Sequence, residues 1–206
     1  MKLTIDNFKS MMNLSLANVK AREEEFSKLD AIAGDGDHGT AIVTALTIIA
    51  GDAQQGTEFP AMLNDMGMGV MMKTSGSTST LLGALFMGMG EALEPLGVTD
   101  ELNAAQVKVM FRGGLTGEQT KAKLGDKTMM DALVPAVVAI ESCDSEDVKE
   151  LLKAGAEAAL KGAEATVNMK ANFGRARNLG ERSVGFADAG ATSWACLFES
   201  FYQGLE

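Results

Sequence analysis

Apolar residues in this chain recur at steps of three, four and seven almost from end to end, and that spacing leaves room for little besides helices. Near the start, Phe8, Met12, Leu16, Val19, Phe26 and Leu29 mark one face of an amphipathic helix. Beyond it Ala, Leu, Met, Glu and Lys fill further helix-spaced runs, Val/Ile/Thr alternation is nearly absent, and only three prolines interrupt. The predicted class is all-α, with helices over residues 5–29, 40–52, 58–72, 77–93, 100–114, 128–141, 145–169 and 189–203. Short turns containing Gly or Asp make sequential neighbours antiparallel. Pro135 falls inside the apolar run Ala132 to Ile140, so that helix should kink or shift its start. With 206 residues, 46% of them hydrophobic, and no stretch resembling a linker, residues 1–206 are expected to form one domain. Many of the fourteen methionines sit at helical spacing, as in Met62/Met66 and Met68/Met71/Met72, and read as soft core filler rather than a Met-rich partner surface.

The first predicted helix ends in Leu29-Asp-Ala-Ile-Ala-Gly-Asp-Gly-Asp-His-Gly-Thr40, which carries Asp30, Asp35, Asp37 and the only histidine of the chain. A helix C-terminus carries partial negative charge and disfavours each nearby carboxylate by roughly 0.3–1 kcal/mol, and the three acids also repel one another. A cation should therefore compensate. Carboxylates without thiolates or a histidine pair suit Mg2+, Mn2+ or Ca2+ rather than zinc. In an extended loop Asp35 and Asp37 point the same way, with Gly36 between them free to take positive φ, and Asp30 joins from the last helical turn. An EF-hand is excluded, because its twelfth-position glutamate would fall on Ala41 or Leu46. Mg2+ fits best, and its open positions for phosphate oxygens suggest a nucleotide. The plain alternative is a polar turn between two helices. Gly34, Gly36 and Gly39 also match Gly-x-Gly-x-x-Gly, but no strand precedes them and two aspartates would face a pyrophosphate. No Gly-Lys-Ser or Gly-Lys-Thr of a Walker A loop occurs.

A formal net charge of −10 argues against nucleic-acid binding, which needs clustered Lys and Arg. The local exception is Arg175, Arg177 and Arg182 with Lys170 upstream, the obvious place in an acidic chain to meet an anion. Two cysteines, no signal peptide and no apolar run of about 20 residues fit a cytoplasmic protein without membrane contact.

Four segments stand in order along the chain: Gly-Asp-Gly-Asp-His-Gly (34–39), Ser-Gly-Ser-Thr-Ser-Thr-Leu-Leu-Gly (75–83), Gly-Asp-Lys-Thr-Met-Met-Asp (125–131), and Gly-Arg-Ala-x-x-Leu-Gly-Glu-Arg-Ser (174–183) continuing to Asp-Ala-Gly-Ala-Thr-Ser (188–193). Together they resemble the dihydroxyacetone kinase family, specifically its nucleotide-binding L subunit, in a match running end to end. The resemblance implies an antiparallel eight-helix barrel with ADP or ATP at one end. It implies that Asp30, Asp35 and Asp37 hold two Mg2+ ions bridging the nucleotide phosphates, in agreement with the residue-level reading.

The resemblance also implies roles for His38, Gly39 and Thr40 at a helix start that favours anions, with His38 a phosphate hydrogen-bond donor rather than a phosphorylated intermediate. Ser77 and Thr78 match phosphate-contacting residues at the next helix start, against the alternative of an ordinary hydroxyl-rich N-cap. Thr120 falls where a nucleotide contact is expected. Met129 is placed to pack on adenine, Thr128 reads as an N-cap, and Asp126 and Lys127 as residues that order their loop. Arg175 matches an arginine at the nucleotide phosphates, and Asp188 to Gly190 a loop that closes on the nucleotide. The chain departs from the relatives' Gly-Gly-x-Ser-Gly at 77–80. It also has Phe186-Ala187-Asp188-Ala189-Gly190 where relatives often have His-x-Asp-Pro-Gly.

The activity implied is phosphoryl transfer from Mg-bound nucleotide to a small ketose held on a separate K subunit. ADP would be recharged by a phosphohistidine M subunit of the phosphotransferase system. Alternatives are an ATP-exchanging subunit for another short ketose and a regulatory nucleotide-binding module. A purely structural helical protein would instead bind no nucleotide. A homodimer is left open.

Overall fold

A closed ring of helices organises the computed structural model, which describes residues 1–117 and 120–205. Helix α1 (Ile5–Ala21) opens with a reciprocal cap, in which the Thr4 hydroxyl accepts from the Asn7 amide (3.2 Å) while the Asn7 side chain accepts from the Thr4 amide (3.4 Å). The single long helix expected over 5–29 breaks at Arg22 (φ −110°, ψ 13°) and resumes as α2 (Glu23–Ala31). No Gly or Pro marks the break. Arg22 instead donates from Nε and Nη2 to the two Glu25 carboxylate oxygens (2.8 Å each) and lies 5.1 Å from the centre of the Phe26 ring, contacts that settle it as the start of a new turn.

The remaining helices are α3 (His38–Gln55), α4 (Phe59–Lys73), α5 (Ser77–Leu93), α6 (Ala104–Gly117), α7 (Met130–Ser142), α8 (Val148–Ala165) and α9 (Ala189–Gln203). Among the described residues, with α1 and α2 counted as one broken helix, these are the eight expected. Each packs on the next in the order α1, α3, α4, α5, α6, α7, α8, α9, and α9 packs back on α1, which closes the barrel. The broken piece α2 lies against α3 and α9.

The two largest shifts of a helix start from expectation have local reasons. Helix α6 begins at Ala104 rather than 100, because Glu101–Leu102 (β2) pairs antiparallel with Leu3–Thr4 (β1) and Asn103 then exchanges cap bonds with Gln106 (2.8 and 3.0 Å). Helix α8 begins at Val148, where the Asp147 carboxylate accepts from the Lys149 amide (3.0 Å), and ends in a 3-10 turn, Thr166–Asn168.

The core runs through the ring. Phe8 and Phe59 meet edge to face at 5.7 Å, and Phe111, Phe198 and Phe201 form a second aromatic cluster. Met62 and Met66 are buried as expected, but Met68, Met71 and Met72 are 51%, 42% and 79% exposed on the outer side of α4. Core filling therefore explains only part of the methionine content.

Glycines set how closely neighbouring helices approach. Pro135 lies within α7, which starts at Met130, and leaves the Asp131 carbonyl without its helical N–H partner. Gly162 of α8 faces that carbonyl so closely that a Cβ there would lie 1.8 Å from its oxygen. Gly162→Ala is therefore expected to destabilise the chain by about 3 kcal/mol through forced separation of α7 and α8. Gly51→Ala is the control: no atom lies within 4 Å of a Cβ at Gly51, and helix propensity should raise stability by about 0.5–1 kcal/mol. Denaturant unfolding of both variants checks the pair, and equal shifts would contradict the packing argument.

Candidate functional site

The starts of α3, α5, α7 and α9 line one cavity, together with the end of α2. Leu29, Asp30 and Ala33 come from α2 and the turn after it, and Asp37 and His38 from the start of α3. Ser77, Thr78 and Leu81 come from α5, and Lys127, Thr128 and Met129 from the approach to α7. Phe173 to Ala176, Phe186 to Gly190 and Trp194 complete the wall. Positive helix ends thus meet there beside a negative one.

The α3 and α5 starts have no side-chain cap. At α5 the cap position is Gly76 at φ 103°, so the hydroxyl-rich N-cap alternative does not hold and first-turn amides are left for another acceptor. Thr128 does act near the start of α7, where its hydroxyl accepts from the Met130 amide (3.2 Å).

Asp30, Asp35 and Asp37 each offer a carboxylate oxygen within 4.8 Å of the others. The turn is built for this convergence, since Gly36 at φ 79° donates its amide to Asp30 (2.8 Å), and a Cβ at Gly34 would lie 2.6 Å from an Asp30 oxygen. Arg175 forms an ion pair with Asp35, both exposed, and its guanidinium lowers the Asp35 pKa. Asp37 is pushed the other way by desolvation first and then by Asp35 and Asp30. One guanidinium against three carboxylates leaves negative charge in excess. The donor set, all carboxylate oxygen at this separation, fits a hard divalent cation such as Mg2+.

His38 joins three helices rather than pointing a free donor at the cavity. Its Nε2 lies 2.8 Å from the Ser193 hydroxyl of α9 and its Nδ1 lies 3.3 Å from the Thr78 hydroxyl of α5. Ser193 donates in turn to the Gly190 carbonyl (3.0 Å), so a consistent network has Nε2–H donating to Ser193 and Thr78 donating to Nδ1. The ring is then neutral, in line with a pKa lowered by burial despite Asp30 and Asp37.

Other expected contacts fall outside the cavity wall. Gly39 is buried against α2, where a Cβ would lie 2.1 Å from the Glu23 carbonyl oxygen, and the Thr40 hydroxyl donates to Glu23 (2.9 Å). Both residues serve the α2–α3 contact. The Thr120 hydroxyl accepts from the Ala122 amide (3.1 Å) and does not line the cavity. Of the basic loop only Arg175 reaches the wall, while Lys170 pairs with Glu181 (2.7 Å). Met129 and Gly190 face each other, a Cβ at Gly190 lying 3.4 Å from that of Met129.

Sequence reasoning gave no site role to Ser193, Trp194 or Phe173, and only a loop-ordering role to Lys127. Asp131 was legible as an acid in the first turn of α7. Its buried carboxylate accepts from the Gly125 (2.6 Å) and Thr128 (2.8 Å) amides and ties down the preceding loop.

A family model for the DAK2 domain matches residues 32–203. The chain is 37% identical over 180 residues to the D-erythrulose kinase of Mycolicibacterium smegmatis, covering 84% of this chain and 31% of that one. It is 33% identical over 181 residues to the ADP-binding subunit DhaL of the PEP-dependent dihydroxyacetone kinase of Escherichia coli K12, covering 82% of each. It therefore spans about a third of the first relative's length and most of the second's. The dihydroxyacetone kinase of C. freundii, solved with AMP-PNP and Mg2+, shares the fold at a TM-score of 0.71 and 24% identity, over 95% of this chain and 33% of that one.

Asp188 yields a pH test. It caps α9 by accepting from the Ala191 amide (2.8 Å), and burial pushes its pKa up to about 6. The unfolded value is about 3.9, so between roughly pH 4 and 6 the folded chain binds more protons than the unfolded one. This group's stabilisation is fully present below that window and is lost as pH rises through it. Asp188→Asn keeps an acceptor for the cap and should remove this group's share of the slope. Denaturant titrations of both ligand-free proteins across the window check this, and identical slopes would contradict it.

Proposed function

The chain belongs to the DAK2 domain family, and on that premise we propose that it is the nucleotide-binding subunit of a dihydroxyacetone-type kinase, acting as one unit over residues 1–206. The observation that carries this reading is the carboxylate triad Asp30, Asp35 and Asp37, of which Asp30 and Asp37 line the cavity beside two uncapped helix starts and Arg175, while the exposed Asp35 pairs with Arg175. Amides and a guanidinium suit phosphate oxygens, while the acids suit Mg2+ between them.

Asp30, Asp35 and Asp37 would hold two Mg2+ ions, and the first turn of α5, through Ser77 and Thr78, would receive phosphate. Bound Mg2+ offsets carboxylate charge and stabilises charge on phosphate oxygens during transfer. His38, with both nitrogens bonded, holds the Thr78 side chain at the start of α5, so the first-turn amides there, and not the Thr78 hydroxyl proton already given to His38, would be the donors to phosphate. Arg175 is held at the rim by Asp35, ready to exchange that partner for a phosphate. Met129 and Gly190 bound the slot where a base would lie.

The phosphoryl acceptor is a small ketose held on a separate K subunit, and ADP is recharged in place by a phosphohistidine M subunit. Relatives named ADP-binding subunits support the ADP form. The similarity to three erythrulose kinases supports another short ketose as acceptor, the substrate part of the second reading, in which the subunit exchanges ATP. Among the described residues no helix is long and apolar enough to cross a membrane, and a cytoplasmic location accords with both readings.

Asp30→Ala and Asp35→Ala should lose Mg2+-dependent ADP binding in calorimetry while keeping the helical circular dichroism signal; retained binding would refute the triad's role. In a reconstituted system Arg175→Ala should lower kcat/KM at least about tenfold with little change in Tm, and unchanged turnover would count against it.

A further inference from the structure

Lys127 combines three features that are individually uncommon. It is the one non-glycine residue with positive φ (60°) among the described residues, a conformation that L side chains seldom adopt. It is only 1% exposed, yet it belongs to the cavity wall. Its ammonium donates to two carbonyls from separate segments, Thr166 at the end of α8 (2.7 Å) and Phe186 (2.6 Å), and lies 4.6 Å from the centre of the Phe186 ring. A buried cation held by carbonyls and an aromatic face, on a backbone that must be forced, marks a position fixed for a purpose.

The surrounding bonds say what is fixed. On one side Asp131 holds the Gly125 and Thr128 amides, which pins the loop carrying Lys127 to the start of α7. On the other, the Gly185 amide donates to the Val167 carbonyl (2.8 Å) and the Asp188 amide to the Thr166 hydroxyl (2.9 Å). Lys127 is the side chain that spans all three segments. It thereby sets the separation between Met129 and the Asp188–Gly190 wall. The Lys127–Phe186 contact supplies rigidity at that place.

We propose that Lys127 is a positioning residue, a latch that holds Phe186–Gly190 as a preformed wall of the cavity opposite Met129 before any ligand enters. The consequence for binding rests on the reading of the cavity as a nucleotide site; the latch itself does not. Removing the ammonium leaves the Phe186 carbonyl without its partner, while the Thr166 carbonyl keeps only the Met169 amide (3.1 Å); the tie between the two segments is lost, so nucleotide affinity should fall while the carboxylate triad, built from other segments, is untouched.

The test measures hydrogen exchange, Mn2+ binding and Mg2+–ADP binding on the full chain, for wild type, Lys127→Met and Lys127→Arg. In ligand-free Lys127→Met, amides of 185–189 should exchange about tenfold faster or more, and ADP affinity should fall by a similar factor, as loss of a charged hydrogen-bond donor implies. Mn2+ binding should match wild type, and Lys127→Arg should recover much of the ADP affinity. Unchanged exchange and affinity would overturn the proposal, as would a parallel fall in ADP and Mn2+ binding together with Tm, which marks a merely structural residue. If wild type binds no ADP, the nucleotide reading fails and exchange alone decides the latch. If Lys127→Met does not fold, wild type decides. Exchange of 185–189 as slow as in α7 supports a wall formed in advance, and exchange as fast as in an unprotected loop overturns it.

Discussion

Charge at one end of the barrel is the constraint on which the rest depends. Three carboxylates gather where α2 presents its carbonyl end, and the starts of α3 and α5 stand beside them without side-chain caps. Each arrangement is unfavourable alone: the acids repel one another, and uncapped amides lack acceptors. They become favourable together around a ligand with cations on one side and anionic oxygens on the other. Arg175 neutralises only Asp35, so the protein's own residues leave the balance incomplete.

The fold makes this end possible by alternation. Eight antiparallel helices in a closed ring bring every second N-terminus to the same side, so the starts of α3, α5, α7 and α9 meet without long loops. Tight packing then fixes their spacing. Gly39 lets α3 approach α2, and Gly162 lets α8 meet the carbonyl that Pro135 leaves free. His38, bonded to Thr78 and Ser193, ties α3 to α5 and α9, and Lys127 ties the approach to α7 to the end of α8 and the loop before α9. The neutral histidine and the buried lysine act on the site through the groups they hold.

Much of this was legible in the residues. Helical spacing gave the class, and the ranges for α5 and α9 coincide with those read from the sequence. The turn glycines and paired acids pointed to the triad, but the carboxylates converge through a tight turn with Gly36 at φ 79° rather than through the extended loop that the i, i+2 spacing implied. What stayed hidden depends on tertiary contact. The break at Arg22 carries no breaker residue, the two-residue pairing of Leu3 with Leu102 joins distant segments, and the outward turn of Met68, Met71 and Met72 follows from which face of α4 meets its neighbours. Gly39 and Thr40 sit in the motif yet serve helix packing, and Ser193 serves the site from far along the chain.

The most direct measurement of the central claim is the amount of nucleotide and Mg2+ released when the purified native chain is denatured, before and after exhaustive dialysis, with rebinding tested after dialysis. The account predicts nucleotide and Mg2+ recovered together, with ADP surviving dialysis if it is a resident cofactor and rebinding only with Mg2+ if it exchanges. A chain that neither carries nucleotide nor takes it up with Mg2+ would contradict the account.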